Sequence, residues 1–314
     1  MVLDGSKPPP FEASQFEPNV TDGTHAGARD QMKVEPTGCR SSISLVSYDV
    51  RVMITANDPA LLGRLPEHFP PGWRPTDSAG VDELFSIFAD VRTPGRRARP
   101  RNLLYRGPDL IATAPNIDQT LNQLESWLRL TVAVRARHRV FVHAGVVGWG
   151  GQALLLPGRS CSGKTTLVAA LVRAGATYFS DEYAVLDAAG RVHAFPKPLS
   201  IRQHDGGGVQ KCPVHSLGGR TAKRPLPVGL VVVTRYRPGV QWRPRKLSAA
   251  QGLFALLANT PTALTRSEDA VSTLKQVVTG AVTLRGGRPE ADKLAPMLLE
   301  YLDNLPADVS AHGE

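Results

Sequence analysis

Residues 158–165 read Gly-Arg-Ser-Cys-Ser-Gly-Lys-Thr, the full spacing G-x-x-x-x-G-K-[ST]. That spacing serves one chemistry, the gripping of nucleotide phosphates. Gly158 and Gly163 allow a turn that aims the backbone N–H groups of Arg159, Ser160, Cys161 and Ser162 at an anion, and a helix start adds about half a positive charge. Lys164 is placed to bridge the β- and γ-phosphates and Thr165 to offer its hydroxyl to Mg²⁺, with Thr166 next in the helix start. A chance match in a Gly-rich chain is the alternative, and the flanking residues argue against it. Residues 151–157 (GQALLLP) form a short apolar run suited to a buried strand, and residues 166–174 place Leu167, Ala170, Leu171 and Ala174 on one helical face.

Chemistry on a bound triphosphate needs acid groups near the γ-phosphate, and Asp181-Glu182 is the pair in position. It ends the strand 176–180 that follows the loop's helix, and ligands lie at such strand ends in open α/β sheets. One carboxylate can hold Mg²⁺ while the other orients or deprotonates an acceptor hydroxyl. The same two residues also suit a polar turn into the next strand. His143 precedes the loop by one strand, among Val140, Val142, Val146 and Val147. It reads either as a core histidine with its hydrogen bonds satisfied, or as a group that bonds a phosphate or stands beside the metal. The catalytic candidates are therefore Asp181, Glu182 and His143, and the metal candidates Thr165 and Asp181.

These residues have to be held by a sheet and its helices. Strands are expected at 139–149, 153–156, 177–180 and 228–234, the last being the most β-branched and so an interior strand. A hairpin is expected at 184–194, a short strand at 282–285, and helices at 249–259, 269–279 and 290–304. Because strands and helices are mixed without strict alternation, a mixed sheet flanked by helices fits best. Upstream, residues 42–57 alternate as one or two strands, 83–91, 102–105 and 109–114 add more, and 118–136 carries a helical stripe from Leu121 to Val134. The division expected is a leader (1–40), a small α/β domain (41–137), a nucleotide-binding domain (138–305) and a tail (306–314). Residues 203–227, with three consecutive glycines and several cations, read as a structureless stretch serving as a lid or simply unfolded.

The leader's prolines and lack of apolar periodicity match a disordered segment, and it lacks the apolar core of a secretory signal. No apolar run approaches the roughly 20 residues of a membrane helix. Three scattered cysteines form neither a zinc pair nor a disulfide framework, which points to a reducing, cytoplasmic setting. The net charge of +9 is spread along the chain without a nucleic-acid recognition motif, and an acidic protein or peptide partner, or the nucleotide, accounts for it as well. Arg243, Arg245 and Lys246 are further cations that either neutralise transferred charge or form a solvated turn.

Four runs taken together carry a family resemblance: HAGVV from His143, GRSCSGKTTL from Gly158, RAGATYFSDEYAVL from Arg173 and FPKPLSIR from Phe195. In this order they resemble the kinase domain of bacterial HPr kinase/phosphorylase, with phosphoenolpyruvate carboxykinase as a distant cousin. The resemblance covers about 60 residues strongly and the tail to about 305 weakly. It implies a mixed β-sheet P-loop kinase domain of the HPr kinase/phosphoenolpyruvate carboxykinase type, with a smaller N-terminal α/β domain. It further implies ATP and Mg²⁺ as cofactors and transfer of the γ-phosphate to a serine or threonine hydroxyl of a protein or peptide. Lys164 and Thr165 would hold MgATP, Asp181 and Glu182 would supply a base and a metal contact, and His143 would assist at the phosphates. The family's doublet is Asp-Asp, whereas position 182 is Glu, and its glutamate before Ile-Arg is replaced by Ser200. A divergent branch phosphorylates ribosomally made precursor peptides, which makes such a peptide the implied partner, and the family's oligomers imply a homo-oligomer. A small-molecule hydroxyl kinase and a nucleotide-binding regulator without transfer are the competing readings.

Overall fold

The computed structural model describes residues 41–78, 80–92, 100–159, 162–202 and 209–305. The expected leader and tail lie outside the described residues, as do Ser160, Cys161 and residues 203–208. The chain is mixed α/β and divides into two compact units between Arg139 and Val140.

In the first unit, strands β1 (Ser41–Ser47), β2 (Val50–Ala56), β3 (Arg74–Pro75), β4 (Glu83–Val91), β5 (Arg101–Arg106) and β6 (Asp109–Ala114) form one sheet in the order β3-β1-β2-β4-β5-β6. The alternating run 42–57 is two strands. Tyr48 and Asp49 both take positive φ, 48° and 64°, and close a two-residue hairpin. Helix α1 (Ile117–Arg135) starts at Asn116, whose side chain accepts from the Gln119 N–H at 2.9 Å. It packs on β5 and β6, and its Leu121, Leu124 and Leu128 are fully buried.

The second unit contains β7 (Val140–Trp149), β8 (Gln152–Pro157), α2 (Lys164–Arg173), β9 (Thr177–Ser180), β10 (Tyr183–Leu186), β11 (Val192–His193), β12 (Leu199–Arg202), β13 (Val209–Cys212), β14 (Val228–Tyr236), β15 (Arg245–Lys246), α3 (Ala249–Leu257), α4 (Ser267–Gly280), β16 (Val282–Arg288) and α5 (Ala291–Asp303). Its main sheet runs β11-β10-β7-β8-β14-β16-β15, with β9 also on β7. Strands β8, β14 and β16 are parallel, and the remaining pairs of this sheet are antiparallel.

Period-two alternation gives this sheet two apolar faces. Val147, Leu154, Leu156, Leu230 and Val232 pack under α2 and α5, whereas Val142, Val146, Leu155 and Val231 pack against α3 and α4. Each fully buried leucine or valine contributes about 1.5–3 kcal/mol. Gly145 lies on the α2 face, where an added Cβ would stand 2.6 Å from Val168 Cγ2. A bare backbone at this position is what lets α2 lie so close to β7.

Residues 209–227 correct the expectation of a structureless stretch. β13 pairs with β12 as a separate ribbon, Val214–Leu217 forms a 3-10 turn, and Tyr178 exchanges backbone bonds of 2.8 Å with Arg220 and Ala222. Leu226 exchanges bonds with Val192 in the same way, at 2.8 and 3.1 Å. The segment satisfies its backbone polar groups by lying along sheet edges, a requirement that composition alone does not reveal.

Candidate functional site

β7 is the strand on which the site is assembled. β8 lies on one side of it and leads into the glycine-flanked loop Gly158–Thr165, with the Gly158 N–H donating to the His143 carbonyl at 3.2 Å. β9 and β10 succeed one another on the other side, and their junction brings Glu182, whose carbonyl accepts from the Ala144 N–H at 3.0 Å. The loop and the acid pair, far apart in sequence, thus flank the same stretch of β7.

The loop turns into α2 at Gly163, whose φ of 84° is left-handed. Lys164 Nζ donates to the carbonyls of Gly158 at 2.6 Å and Arg159 at 2.8 Å, closing the loop on itself. The Thr165 hydroxyl donates to Asp181 Oδ2 at 3.1 Å, while Thr166 is exposed. Asp181 is only 5% exposed, and its Oδ1 lies 3.1 Å from the Tyr178 hydroxyl. That phenol is fully buried and also lies 2.9 Å from the Lys197 carbonyl. Burial first, and then the Asp181 charge, push its pKa far above the ordinary tyrosine value, so it acts only as a neutral donor.

The corner that carries the acid pair is shaped by Ser180, whose Oγ accepts from the N–H groups of Glu182 at 3.0 Å and Tyr183 at 2.9 Å. Glu182 itself lies beside Lys197, Nζ to Oε2 3.0 Å. Beneath this corner, Phe141, Tyr183 and Phe195 meet edge to face with centroids 5.7–5.9 Å apart.

His143 projects from the α2 face of β7, in line with Gly145 and Val147. It keeps some accessible surface, yet the ring lies deep enough that desolvation governs its proton. Burial, aided by the Lys164 charge and opposed by Glu182, pushes its pKa down to about 3. The imidazole is therefore neutral at physiological pH and offers a hydrogen bond rather than a charge. A folded value below the unfolded value of about 6.5 means that the unfolded chain binds this proton first. The resulting stability is complete above about pH 6.5 and is lost as the pH falls toward 3. In urea unfolding between about pH 6.5 and 4, the wild type is expected to lose stability more steeply than His143→Asn, by up to about 1.4 kcal/mol per pH unit. Parallel curves for the two proteins would contradict the assignment.

Sequence reasoning did not find Arg288. This residue ends β16, is 3% exposed, and donates from Nη2 to the Gly163 carbonyl at 3.0 Å. The positive φ favours glycine at 163, and a Cβ there would lie 2.2 Å from the same nitrogen and displace the guanidinium. The guanidinium lies 5.0 Å above the Tyr236 ring, and the Tyr236 hydroxyl donates to Glu290 Oε1 at 2.5 Å. Burial lowers the Arg288 pKa, but a guanidinium stays charged in a protein. Ser162, Lys164, Thr234 and Arg288 line one small recess of about 10 Å³ beside the loop. No local signal marks Arg288, because it reaches the loop from 125 residues away. Arg243, Arg245 and Lys246, the cations singled out from sequence, are exposed, and β15 lies at the sheet edge.

The donors around the loop suit Mg²⁺, which takes oxygen ligands, keeps several waters and needs only one or two carboxylates besides phosphate. The Thr165 hydroxyl and the Asp181 carboxylate converge as such a pair. Among the described residues no helix is long and apolar enough to cross a membrane. No protein-family model matches the chain, and no curated protein matches it.

Proposed function

We propose that the unit from Val140 onward is an ATP-dependent kinase of the HPr-kinase-like type, transferring the γ-phosphate to a serine or threonine hydroxyl of a protein or peptide. The observation that carries this reading is the contact between Thr165 of the phosphate loop and Asp181 of the acid pair. A phosphate loop alone serves hydrolases, switches and motors equally; an aspartate at its threonine gives a metal position, and Glu182 next in the chain supplies a second carboxylate for an acceptor hydroxyl.

The loop N–H groups, Lys164 and the fixed charge of Arg288 hold the triphosphate. Thr165 and Asp181 are the residues that would hold Mg²⁺, which when bound draws charge from the β- and γ-oxygens. Glu182 receives the acceptor's hydroxyl proton. The acceptor oxygen bonds to the γ-phosphorus as the bond from that phosphorus to the β,γ-bridging oxygen breaks, and ADP leaves with the electron pair. His143 contributes a neutral hydrogen bond.

A second reading, nucleotide binding without transfer, draws support from Ser200, which lies on the β12–β13 ribbon opposite Lys211, and from the Lys197 ammonium beside Glu182. ATP labelled at the γ-phosphate separates the two. Movement of label to a polypeptide hydroxyl supports the kinase, whereas label retained in intact bound ATP supports the binding protein. Arg288→Met, which keeps bulk and removes charge, is expected to weaken MgATP binding about tenfold in calorimetry. Unchanged affinity would remove Arg288 from the nucleotide site.

A further inference from the structure

Lys197 has two surroundings. Its ammonium stands 3.0 Å from Glu182 Oε2, and the residue also lines an open depression of about 400 Å³ with Pro196, Pro198, Pro213, Val214 and His215. The depression is joined to Asp181 through the Tyr178 side chain, whose hydroxyl contacts both the Lys197 carbonyl and Asp181 Oδ1. Segment 220–222 of the same region is paired with β9 at Tyr178, and β9 ends one residue before Asp181.

The charge here is one-sided. Among the described residues of 196–227, the cations Lys197, Lys211, Arg220, Lys223 and Arg224 are accompanied by no carboxylate of the same segment. Lys211, Arg220, Lys223 and Arg224 are exposed. Proline walls are rigid and apolar, so a chain laid on them meets a surface that needs little ordering. The depression is open to solvent, whereas small-molecule sites enclose most of their ligand.

We infer that the acceptor is an acidic polypeptide segment that docks on this proline-walled basic face, beside Glu182. The inference rests on the kinase reading and names the substrate class that reading leaves open. Carboxylates flanking the reactive hydroxyl meet Lys211, Arg220 and their neighbours. A carboxylate that enters the depression gives Lys197 a second partner and frees Glu182 for the hydroxyl proton.

The test uses the full chain and a fluorescein-labelled peptide of about twelve residues, Glu and Ala around one central position, made with Ala or with Ser there. The Ala form reports docking by anisotropy without any transfer, and the Ser form reports phosphorylation by mass. Expected is binding of the acidic Ala peptide but not of its Lys counterpart, weakened at least about tenfold by Lys211→Glu with Arg220→Glu. Lys293→Glu on α5, an exposed site, leaves binding unchanged, and ATP affinity is the same in all three proteins. Raising salt from about 0.05 to 0.3 M weakens the wild type more than the charge-reversed protein. Equal binding of acidic and basic peptides, indifference to the charge reversals, or displacement of the peptide by a single-stranded RNA that needs the same residues would overturn the inference. Phosphorylation of Ser peptides regardless of flanking charge overturns it while leaving the kinase reading intact. Charge-dependent docking of the Ala peptide with no phosphate on the Ser peptide supports the docking face and overturns the kinase reading.

Discussion

Asp181→Asn is expected to lower label transfer from ATP by about a thousandfold while changing ATP affinity no more than about threefold. Asparagine keeps the shape of a side chain that is 5% exposed and meets the hydroxyls of Thr165 and Tyr178. What it removes is the negative charge proposed to hold the metal. One hydroxyl then faces an amide NH₂ in place of a carboxylate oxygen and must turn to accept, at a cost of about 1–2 kcal/mol in stability. A thermal unfolding midpoint measured beside the transfer assay separates that cost from lost chemistry. Full transfer by a folded Asp181→Asn protein would return Asp181-Glu182 to the status of a polar turn.

Lys164→Ala acts at the earlier step, lowering ATP affinity by at least about a hundredfold. Lys164 Nζ ties together the carbonyls of Gly158 and Arg159 at the start of the loop. Alanine therefore removes a cation for the phosphates and the tie that shapes the loop. The readout is the ATP-induced rise in unfolding temperature, which follows the ratio of ligand concentration to Kd and should vanish in the variant. Lys164→Arg is not expected to restore it, because a planar fork does not replace a compact ammonium pointed at two carbonyls. An undiminished temperature rise in Lys164→Ala would mean that ATP binds elsewhere or that the loop does not grip phosphate.

Much of the scaffold was legible because its signals are local. The apolar run before Gly158 is β8, the stripe of Leu167 and Leu171 is α2, and the valines of 228–234 lie inside β14, between parallel neighbours. Ser248 and Gln251 cap α3 reciprocally. The residues that went unread act at a distance. Tyr178 supports Asp181 from within the same strand segment, but nothing in its spacing distinguishes it from an ordinary core aromatic. Lys197 reaches Glu182 only because the chain after β11 returns past the β9–β10 corner. The region around 209–227 looked unstructured because its glycines, prolines and cations hide the edge pairing to Tyr178 and Val192.

From the sequence alone came the Gly158–Thr165 motif, its strand and helix, and the candidacy of Asp181, Glu182 and His143, since motif spacing and apolar period are properties of neighbouring residues. Only the tertiary structure decided that Asp181 meets Thr165 of the loop, that His143 is held neutral, and that Arg288 rather than Arg243, Arg245 or Lys246 lies against the loop. The physical reason is the same in each case. Strand order, burial and the approach of distant side chains are set by how the sheet pairs, and a charge has its meaning at the site only after its neighbours and its access to water are known.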